Sequence, residues 1–483
     1  MKILVLQLAR LGDIYMSWPA LRALRRTHPG AEIHLLVRPR FEAATRGLNA
    51  VDQVRELPTA ELLEPLSGAA DRDAEALGRV SFYLETLRRE NYDRVINLSF
   101  SPLSSWIVKS VAAETAEVSG YTRHTDGYLK IADHVSSFFY AQVGVNRPNR
   151  VHLTDLFATM INVDLNENDW GPPDLPVKDF GLPDRYAVLH VGASESGKRV
   201  APFQWARALR RFHEDVPDCP VVLIGGPGEK ALANEIRANV NTVSLIDLTG
   251  ETAVEDLFGV IAKSLFLIGA DSAPMHMAAL TGTPTLNVSC GDVNFWETGP
   301  KAPAAWIRRF KTAADFSSEQ VGGAMAELVL RGRVSGWIQH LGGVPAYRTE
   351  EKNRDDFAWN LIQALYLGAD FPVAEEMIFI QAVEKLTEMN AVVLEQLRNP
   401  QVKVAALAPL LDRADEVLTA IADLCPESGV LVRWVQTEKT RIPPGSPEAV
   451  RQAMTDLHAR FGQVLNLYEL TETAEEGSGH GKV

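Results

Sequence analysis

The chain has 483 residues, more than one hydrophobic core comfortably supports, so two or three domains are expected. Hydrophobic residues make up 46% and charged residues 23%, which is typical of a soluble globular protein. A formal net charge of −14 argues against binding to bulk nucleic acid, although a local basic surface could still meet an anionic acceptor.

The cysteines and the N-terminus bear on the cellular compartment. Cys219, Cys290 and Cys425 lie far apart, are odd in number and lack metal-ligand spacing, which favours a reducing compartment without a disulfide framework. The first apolar run is too short for a signal peptide, and no later stretch supplies ~20 uncharged apolar residues for a membrane span. We therefore expect a cytoplasmic protein, with peripheral contact at the inner membrane left open.

The first 330 residues alternate short apolar runs with amphipathic stretches, which indicates parallel sheets wrapped by helices. A first domain is predicted over residues 1–165 and a second over 166–330, with the linker between them placed in the Pro-, Asp- and Asn-rich segment 147–184. The predicted strands are Ile3–Leu8, Ile33–Val37, Arg94–Leu98, Tyr186–Val191, Val221–Ile224 and Leu265–Ile268. The fold class is therefore α/β, with two Rossmann-like, doubly wound halves that face each other across a cleft.

From about residue 331 the pattern changes to helices only. Apolar residues recur every three or four positions from Met377 to Leu397 and from Leu407 to Ile421, and a third helix is predicted to begin at Ser446-Pro447. We interpret residues 331–470 as a helical appendage that serves oligomerisation or acceptor docking. The acidic, Gly- and Ser-rich tail over 471–483 is predicted to be disordered.

The most informative stretch is an apolar strand that runs directly into a helix. Asp271 or Ser272 can cap this helix, Pro274 fits its first turn, and Gly282 can end it. The first-turn amides would then suit a diphosphate at the positive end of the helix dipole, and His276 could add a donor. An ordinary capped helix with a surface histidine explains the same residues.

Three further loops follow predicted strands. Asp13 follows the first strand, where a general base could deprotonate an acceptor hydroxyl, or where it could simply cap the next helix. Ser194 and Lys198 lie in a loop whose amides and cation could bind a diphosphate, although its spacing is not that of a Walker A loop. Glu229 follows Gly225-Gly226 and could accept from a ribose hydroxyl, or mark a plain strand-to-helix turn.

A metal site is not expected. Asp71-Arg72-Asp73 is similar to the metal-binding Asp-x-Asp of other sugar transferases, but it lies in a polar stretch with no strand before it.

The motifs together resemble the heptosyltransferase family of bacterial glycosyltransferases, family 9, over residues 1 to about 330. The resemblance is carried, in chain order, by Arg10-Leu11-Gly12-Asp13, Pro19–Arg25, Tyr92–Asn97, Gly192-Ala193-Ser194, Lys198-Arg199, Gly225-Gly226-Pro227, Asp271–His276, Gly282-Thr283-Pro284 and Gly299-Pro300.

The resemblance implies a GT-B fold and an inverting, metal-independent transfer from a nucleotide-sugar, with ADP-heptose as the expected donor and no cofactor. Asp13 would be the base and Lys198 would offset the diphosphate charge. Donor-binding residues would be Ser194, Lys198, Glu229, Asp271, Ser272, Ala273 and His276. The acceptor would be lipopolysaccharide or a related glycan.

Basic residues of the first domain could meet a phosphorylated or acidic acceptor, although a solvated helix face also explains them. The residues considered are Arg22, Arg25, Arg26, Arg38 and Arg40. Arg10, Arg38 and Arg40 are the acceptor-binding candidates that we retain. Two other hypotheses remain open: a protein glycosyltransferase of the same fold, and a non-catalytic scaffold that only binds nucleotide.

Overall fold

A computed structural model describes residues 1–68, 71–193, 195–240, 243–302, 304–340, 347–348 and 354–468. The chain forms two compact units. The first, the α/β unit, comprises Met1–Gly120 and Gly144–Glu350; the second, the helical unit, comprises Tyr121–Val143 and Glu351–Val483. Residues 121–143 lie within the range predicted for the first domain, and they group with the helical residues.

The α/β unit begins with a parallel five-stranded sheet of order β3-β2-β1-β4-β5. Its strands are β1 (Lys2–Leu6), β2 (Glu32–Val37), β3 (Gln53–Glu56), β4 (Arg94–Asn97) and β5 (Glu117–Ser119). The helices around it are α1 (Leu11–Thr27), α2 (Thr59–Leu63), α3 (Asp73–Arg88) and α4 (Pro102–Val111). The three strands predicted here are confirmed, because their apolar runs are buried in the sheet.

The same unit contains a second sheet of order β10-β9-β8-β11-β12-β13-β14-β15, parallel from β10 to β13. Its strands are β8 (Ala187–His190), β9 (Val221–Ile224), β10 (Leu245–Asp247), β11 (Leu267–Ala270), β12 (Thr285–Cys290), β13 (Ala305–Phe310), β14 (Ile338–His340) and β15 (Tyr347–Arg348). The helices are α7 (Pro202–Asp215), α8 (Lys230–Ala238), α9 (Leu257–Ala262), α10 (Ala273–Thr281), α11 (Phe295–Thr298) and α12 (Ser318–Arg331).

Two details of the α/β unit correct the sequence predictions. The segment 147–184 is not only a linker, because it contains helix α6 (Leu153–Ile161), whose apolar face packs against α1. The prediction of helices only after residue 331 is wrong at β14, which pairs antiparallel with β13. Ile338 of β14 packs against the buried cluster of Phe295, Trp296 and Ile307, and this burial explains the extra strand.

The helical unit begins with the hairpin of β6 (Tyr121–Arg123) and β7 (Leu129–Ile131), followed by α5 (His134–Gln142). Its remaining helices are α13 (Arg354–Leu367), α14 (Met377–Arg398), α15 (Val404–Leu424), α16 (Gly429–Lys439) and α17 (Pro447–Leu465). Helix α5 packs against α13 and α16, and α14 packs against α15 and α17. The predicted start of α17 is confirmed, since the Ser446 hydroxyl accepts from the Ala449 amide at 3.2 Å. The tail 471–483 lies outside the described residues.

Candidate active site

The sheet order of the α/β unit brings the candidate residues to shared edges. Strands β9, β8 and β11 are neighbours and run parallel. Glu229 follows β9, Lys198 follows β8 and Asp271 follows β11. Because carboxyl ends of parallel strands meet at one edge, these three side chains line the same edge of the second sheet.

Asp13 joins this group through the packing of α1 against α10. A Cβ atom on Gly12 would lie 3.0 Å from Cδ2 of His276, so a larger residue here would push the two helix starts apart. Further along α1, Trp18 stacks on Phe258 of α9 with 5.7 Å between ring centroids. The start of α1 is thereby fixed beside the start of α10.

Asp13 lies in the first turn of α1, and its Oδ2 accepts from the backbone amide of Arg10 at 3.0 Å. Burial raises its pKa, while the amide and charge of Arg10 and the charge of Lys198 act in the opposite direction. The carboxylate therefore caps its helix and also has a raised pKa, which strengthens it as a base. The two interpretations offered for Asp13 are compatible.

A chain of alternating charges links the two helix starts. Arg10 Nη1 donates to Glu195 Oε1 at 2.8 Å, and Lys198 Nζ lies 3.7 Å from the same oxygen. Lys198 Nζ also lies 3.9 Å from Asp271 Oδ2, which accepts from Thr298 Oγ1 at 3.3 Å. Both cations that could meet a diphosphate are thus held by carboxylates in this structure.

The surroundings of Asp271 disfavour the ionised form of its carboxyl group. Burial raises its pKa to about 6, against the opposing influence of Lys198 and Thr298. Its Oδ1 atom is buried and has no hydrogen-bond partner among the residues that the structure describes. A buried carboxylate with an unmatched oxygen is typical of sites where a ligand supplies the partner.

Helix α10 begins where the sequence predicts, but its N-cap side chain does not form the predicted capping hydrogen bond. Ser272 is the N-cap residue, and Gly282 ends the helix with a φ of 71°. The Ser272 hydroxyl does not bond to a helix amide; it lies 3.0 Å from Nδ1 of His190 and 3.0 Å from the carbonyl oxygen of Ala270. The Ser272 side chain therefore does not cap the first turn, which begins at Ala273, and the Met275 amide donates to the Ser272 carbonyl oxygen at 3.0 Å.

His276 lies one turn into α10 and is buried. Burial lowers its pKa to about 4, so the ring is neutral near pH 7. It can still donate one hydrogen bond to an anion, but it brings no positive charge.

Glu229 is held where its loop turns back toward β8. Its Oε2 accepts from the amide of Gly226 at 2.7 Å and lies 3.8 Å from Nε2 of His190. Burial alone would raise its pKa, but His190 and the Gly226 amide stabilise the carboxylate, and the net effect is a lowered pKa. A Cβ on Gly192 would lie 1.4 Å from Glu229 Oε1, so only glycine leaves room for this carboxylate.

Three of the five arginines that were predicted to meet an acceptor form contacts within the α/β unit. Arg26 binds Asp169 with two hydrogen bonds, Arg22 donates to carbonyls of residues 169–172, and Arg25 pairs with Asp52. These three arginines connect parts of the α/β unit to one another, and a role of theirs in acceptor binding stays a prediction.

Arg38 and Arg40 remain exposed after β2, and the guanidinium carbon of Arg40 lies 5.5 Å from the centroid of the Phe41 ring. Ser194 lies outside the described residues.

Sequence reasoning missed Glu195, His190 and Thr298. His190 ends β8 just before the Gly192 motif, and Thr298 comes just before Gly299-Pro300, so their places beside two motifs were a usable signal. Within the described residues, no three His, Cys, Asp or Glu side chains are grouped so that they could hold a metal ion. In the same ranges, no helix combines the length and apolar character that crossing a bilayer requires.

Comparison with known proteins identifies relatives of this chain. Residues 82–309 match the model of Glycosyltransferase family 9 (heptosyltransferase). Lipopolysaccharide heptosyltransferase 3 of Escherichia coli K12 is 24% identical over 294 residues, covering 59% of this chain and 81% of that protein. Lipopolysaccharide heptosyltransferase 1 of Campylobacter coli is 24% identical over 314 residues, covering 60% and 83%.

Solved structures show the same fold. A family 9 glycosyl transferase from Veillonella parvula superposes with a TM-score of 0.53 at 18% identity, covering 68% of this chain and 97% of that one. The E. coli ADP-heptose lps heptosyltransferase II gives a TM-score of 0.50 at 19% identity, covering 69% and 99%. The protein is a glycosyltransferase. More particularly, the resemblance to the family 9 heptosyltransferases that the motifs predicted is confirmed.

Proposed function

We propose that the protein is an inverting, metal-independent glycosyltransferase of the GT-B fold. It moves a sugar, with heptose the leading candidate, from a nucleotide-diphosphate donor to lipopolysaccharide or a related glycan. The observation that carries this proposal is the packing of the α1 start against the α10 start. That packing brings the partly buried Asp13, which we propose as the base, close to Lys198 and Asp271.

On the acceptor side, the Asp13 carboxylate takes the proton of the acceptor hydroxyl. The oxygen then attacks the anomeric carbon from the face opposite the diphosphate, and the bond from that carbon to the diphosphate oxygen breaks. The raised pKa of Asp13 makes it a stronger base than an ordinary aspartate. One displacement of this kind inverts the anomeric configuration.

On the donor side, the leaving diphosphate carries the developing negative charge. Lys198 and the positive end of the α10 dipole supply the compensating charge, and the backbone amide of Ala273 supplies a donor. Neutral His276 adds a hydrogen bond, and Glu229 accepts from the ribose. Because Lys198 and the helix start provide this stabilisation, the proposed mechanism needs no metal ion.

ADP-heptose is the donor that we propose, since the relatives are heptosyltransferases by name. A lipid-linked acceptor would place the reaction at the cytoplasmic face of the inner membrane, where the protein would bind peripherally.

The test is a transfer assay with purified protein, ADP-heptose and a lipopolysaccharide core that lacks the terminal heptose. ADP release should depend on that acceptor, should resist EDTA, and should give a product of inverted anomeric configuration by NMR. Transfer only to a polypeptide would instead identify a protein glycosyltransferase. Tight ADP binding without turnover on any acceptor would identify a nucleotide-binding scaffold.

A further inference from the structure

His190 occupies a central place at the donor edge without being one of the proposed ligand-binding residues. It is the last residue of β8, it is 8% exposed, and β8 lies between β9 and β11 in the sheet. Its Nδ1 lies 3.0 Å from Ser272 Oγ, and its Nε2 lies 3.8 Å from Glu229 Oε2. One imidazole ring therefore connects the residues that follow the two flanking strands.

Two glycines leave room for this arrangement. A Cβ on Gly269 would lie 3.1 Å from Cβ of His190, and a Cβ on Gly225 would lie 2.8 Å from Glu229 Oε2. A larger residue at Gly269 would crowd the Cβ of His190, and one at Gly225 would displace the Glu229 carboxylate. These glycines therefore help to fix the base of the His190 side chain and the position of the carboxylate.

The two ring nitrogens have different tasks. Nε2 faces the Glu229 carboxylate, and Nδ1 lies within hydrogen-bond distance of the Ser272 hydroxyl, which also donates to the carbonyl oxygen of Ala270. A single ring in this position contacts both partners at once. Loss of one nitrogen frees only the partner on that side, and this property makes the role testable.

We propose that His190 is a positioning residue of the donor site, which fixes Glu229 for the ribose and Ser272 at the start of α10. The inference rests on the proposed function, because it assumes a nucleotide donor at this edge. His190 acts through its two partners and does not itself contact the ligand. It links recognition of the nucleoside to recognition of the diphosphate.

Two isosteric variants separate the two contacts. In His190→Asn the amide replaces Nδ1 and reaches Ser272 only; in His190→Gln the amide replaces Nε2 and reaches Glu229 only. The probes are ADP and its 2′-deoxy and 3′-deoxy analogues, titrated by calorimetry on the full chain. The matched control is His213→Asn, because His213 is also 8% exposed and its Nδ1 lies 3.1 Å from the Leu209 carbonyl oxygen.

The wild type should prefer ADP over at least one deoxy analogue, because Glu229 accepts from the ribose. His190→Asn should weaken ADP binding about tenfold and reduce that preference to within about twofold, since Glu229 loses its contact with the ring and retains the hydrogen bond from the Gly226 amide. His190→Gln should keep the preference. In turnover assays the donor KM should rise in His190→Asn while kcat stays within about threefold of the wild type, because Asp13 is untouched.

Equal behaviour of the Asn and Gln variants, or an unchanged preference for ADP in both, would overturn the role of His190. If His190→Asn does not fold, Ser272→Ala and Glu229→Gln test the same link in a double-mutant cycle on ADP binding. Effects smaller in combination than their sum support the link, and additive effects overturn it. Failure of the wild type to bind ADP, GDP and UDP would instead overturn the proposed function.

Discussion

The α/β unit and the helical unit hold their ionisable side chains in different ways. In the helical unit, Lys439 pairs with Asp415, and Asn390 and His458 form a buried pair with 2.8 Å between Oδ1 and Nδ1. In the α/β unit, burial raises the pKa of Asp13 and that of Asp271, and Asp271 Oδ1 has no partner among the described residues. Both units contain buried polar atoms without partners among the described residues, His458 Nε2 among them, but a buried carboxylate with a raised pKa and an unmatched oxygen is characteristic of a working site. Chemistry is therefore expected from the α/β unit alone.

The largest effect is expected when the proposed base, Asp13, is replaced. Asp13→Asn should keep the fold and ADP binding while lowering turnover by at least ~10², because no group then takes the acceptor proton. Turnover is measured as acceptor-dependent ADP release, with circular dichroism and ADP titration as controls. Near-normal turnover would remove Asp13 from the mechanism.

The raised pKa of Asp271 predicts that the free energy of unfolding depends on pH. Its pKa is 3.8 in the reference state and about 6 when folded, so between these values the folded chain binds the extra proton. Stability should therefore fall as pH rises through this window, and the loss should be complete above it. Relative to Asp271→Asn, the wild type should lose about 3 kcal/mol of unfolding free energy between about pH 3.5 and pH 7.

The measurement is chemical denaturation of both proteins across that range. Comparison with the variant cancels the other titrating groups. If the difference in unfolding free energy between the wild type and Asp271→Asn does not change with pH, burial does not destabilise the ionised form of Asp271.

Lys198 tests the donor side of the site. Lys198→Ala should weaken nucleotide-sugar binding by ~1.5–3 kcal/mol, the range for a charge-assisted hydrogen bond. His276→Ala should have a smaller effect, because its lowered pKa leaves the ring neutral. Unchanged affinity for the ADP-sugar in both variants, measured by titration, would place the donor site elsewhere.

The same contrast predicts that damage to the helical unit leaves donor binding intact. Asn390→Ala strips the buried His458 of its partner and should cost ~1–3 kcal/mol of stability in that unit. ADP affinity should stay within about twofold. Weaker ADP binding in a folded variant would mean that the helical unit completes the site.

A point substitution is preferable here to a chain cut near Arg331. Helix α5, from residues 134–142, packs against α13 and α16. A truncated chain would therefore leave the apolar face of α5 without its packing partners, and a loss of activity could not be assigned.

Some residues of the site can be predicted from the sequence, whereas the contacts between others cannot. Asp13, Lys198 and Asp271 each follow an apolar run, and strand ends in a parallel sheet share an edge, so their common location follows from local patterns. The link of His190 to Ser272 and Glu229 depends on which strands are neighbours, and no local pattern encodes that order. Likewise, the apolar residues of α5 indicate burial, but they do not indicate that their partners lie more than 200 residues later.

The smallest predicted effect concerns the acceptor surface. Arg38 and Arg40 are exposed and follow β2, whereas Arg22, Arg25 and Arg26 are held by internal contacts. An exposed cation in water contributes ~1 kcal/mol or less to binding an anion. Arg38→Ala or Arg40→Ala should thus raise the acceptor KM less than about fivefold.

Donor affinity should not change in either variant, and the effect should shrink at high salt, because screening weakens exposed charge pairs. Arg88→Ala is the matched control, since Arg88 is an exposed arginine on α3 of the same unit. An acceptor KM that responds equally to all three substitutions would indicate attraction to overall charge. A response confined to Arg38 and Arg40 would place the anionic group of the acceptor at the end of β2, on the same sheet whose first strand leads to Asp13.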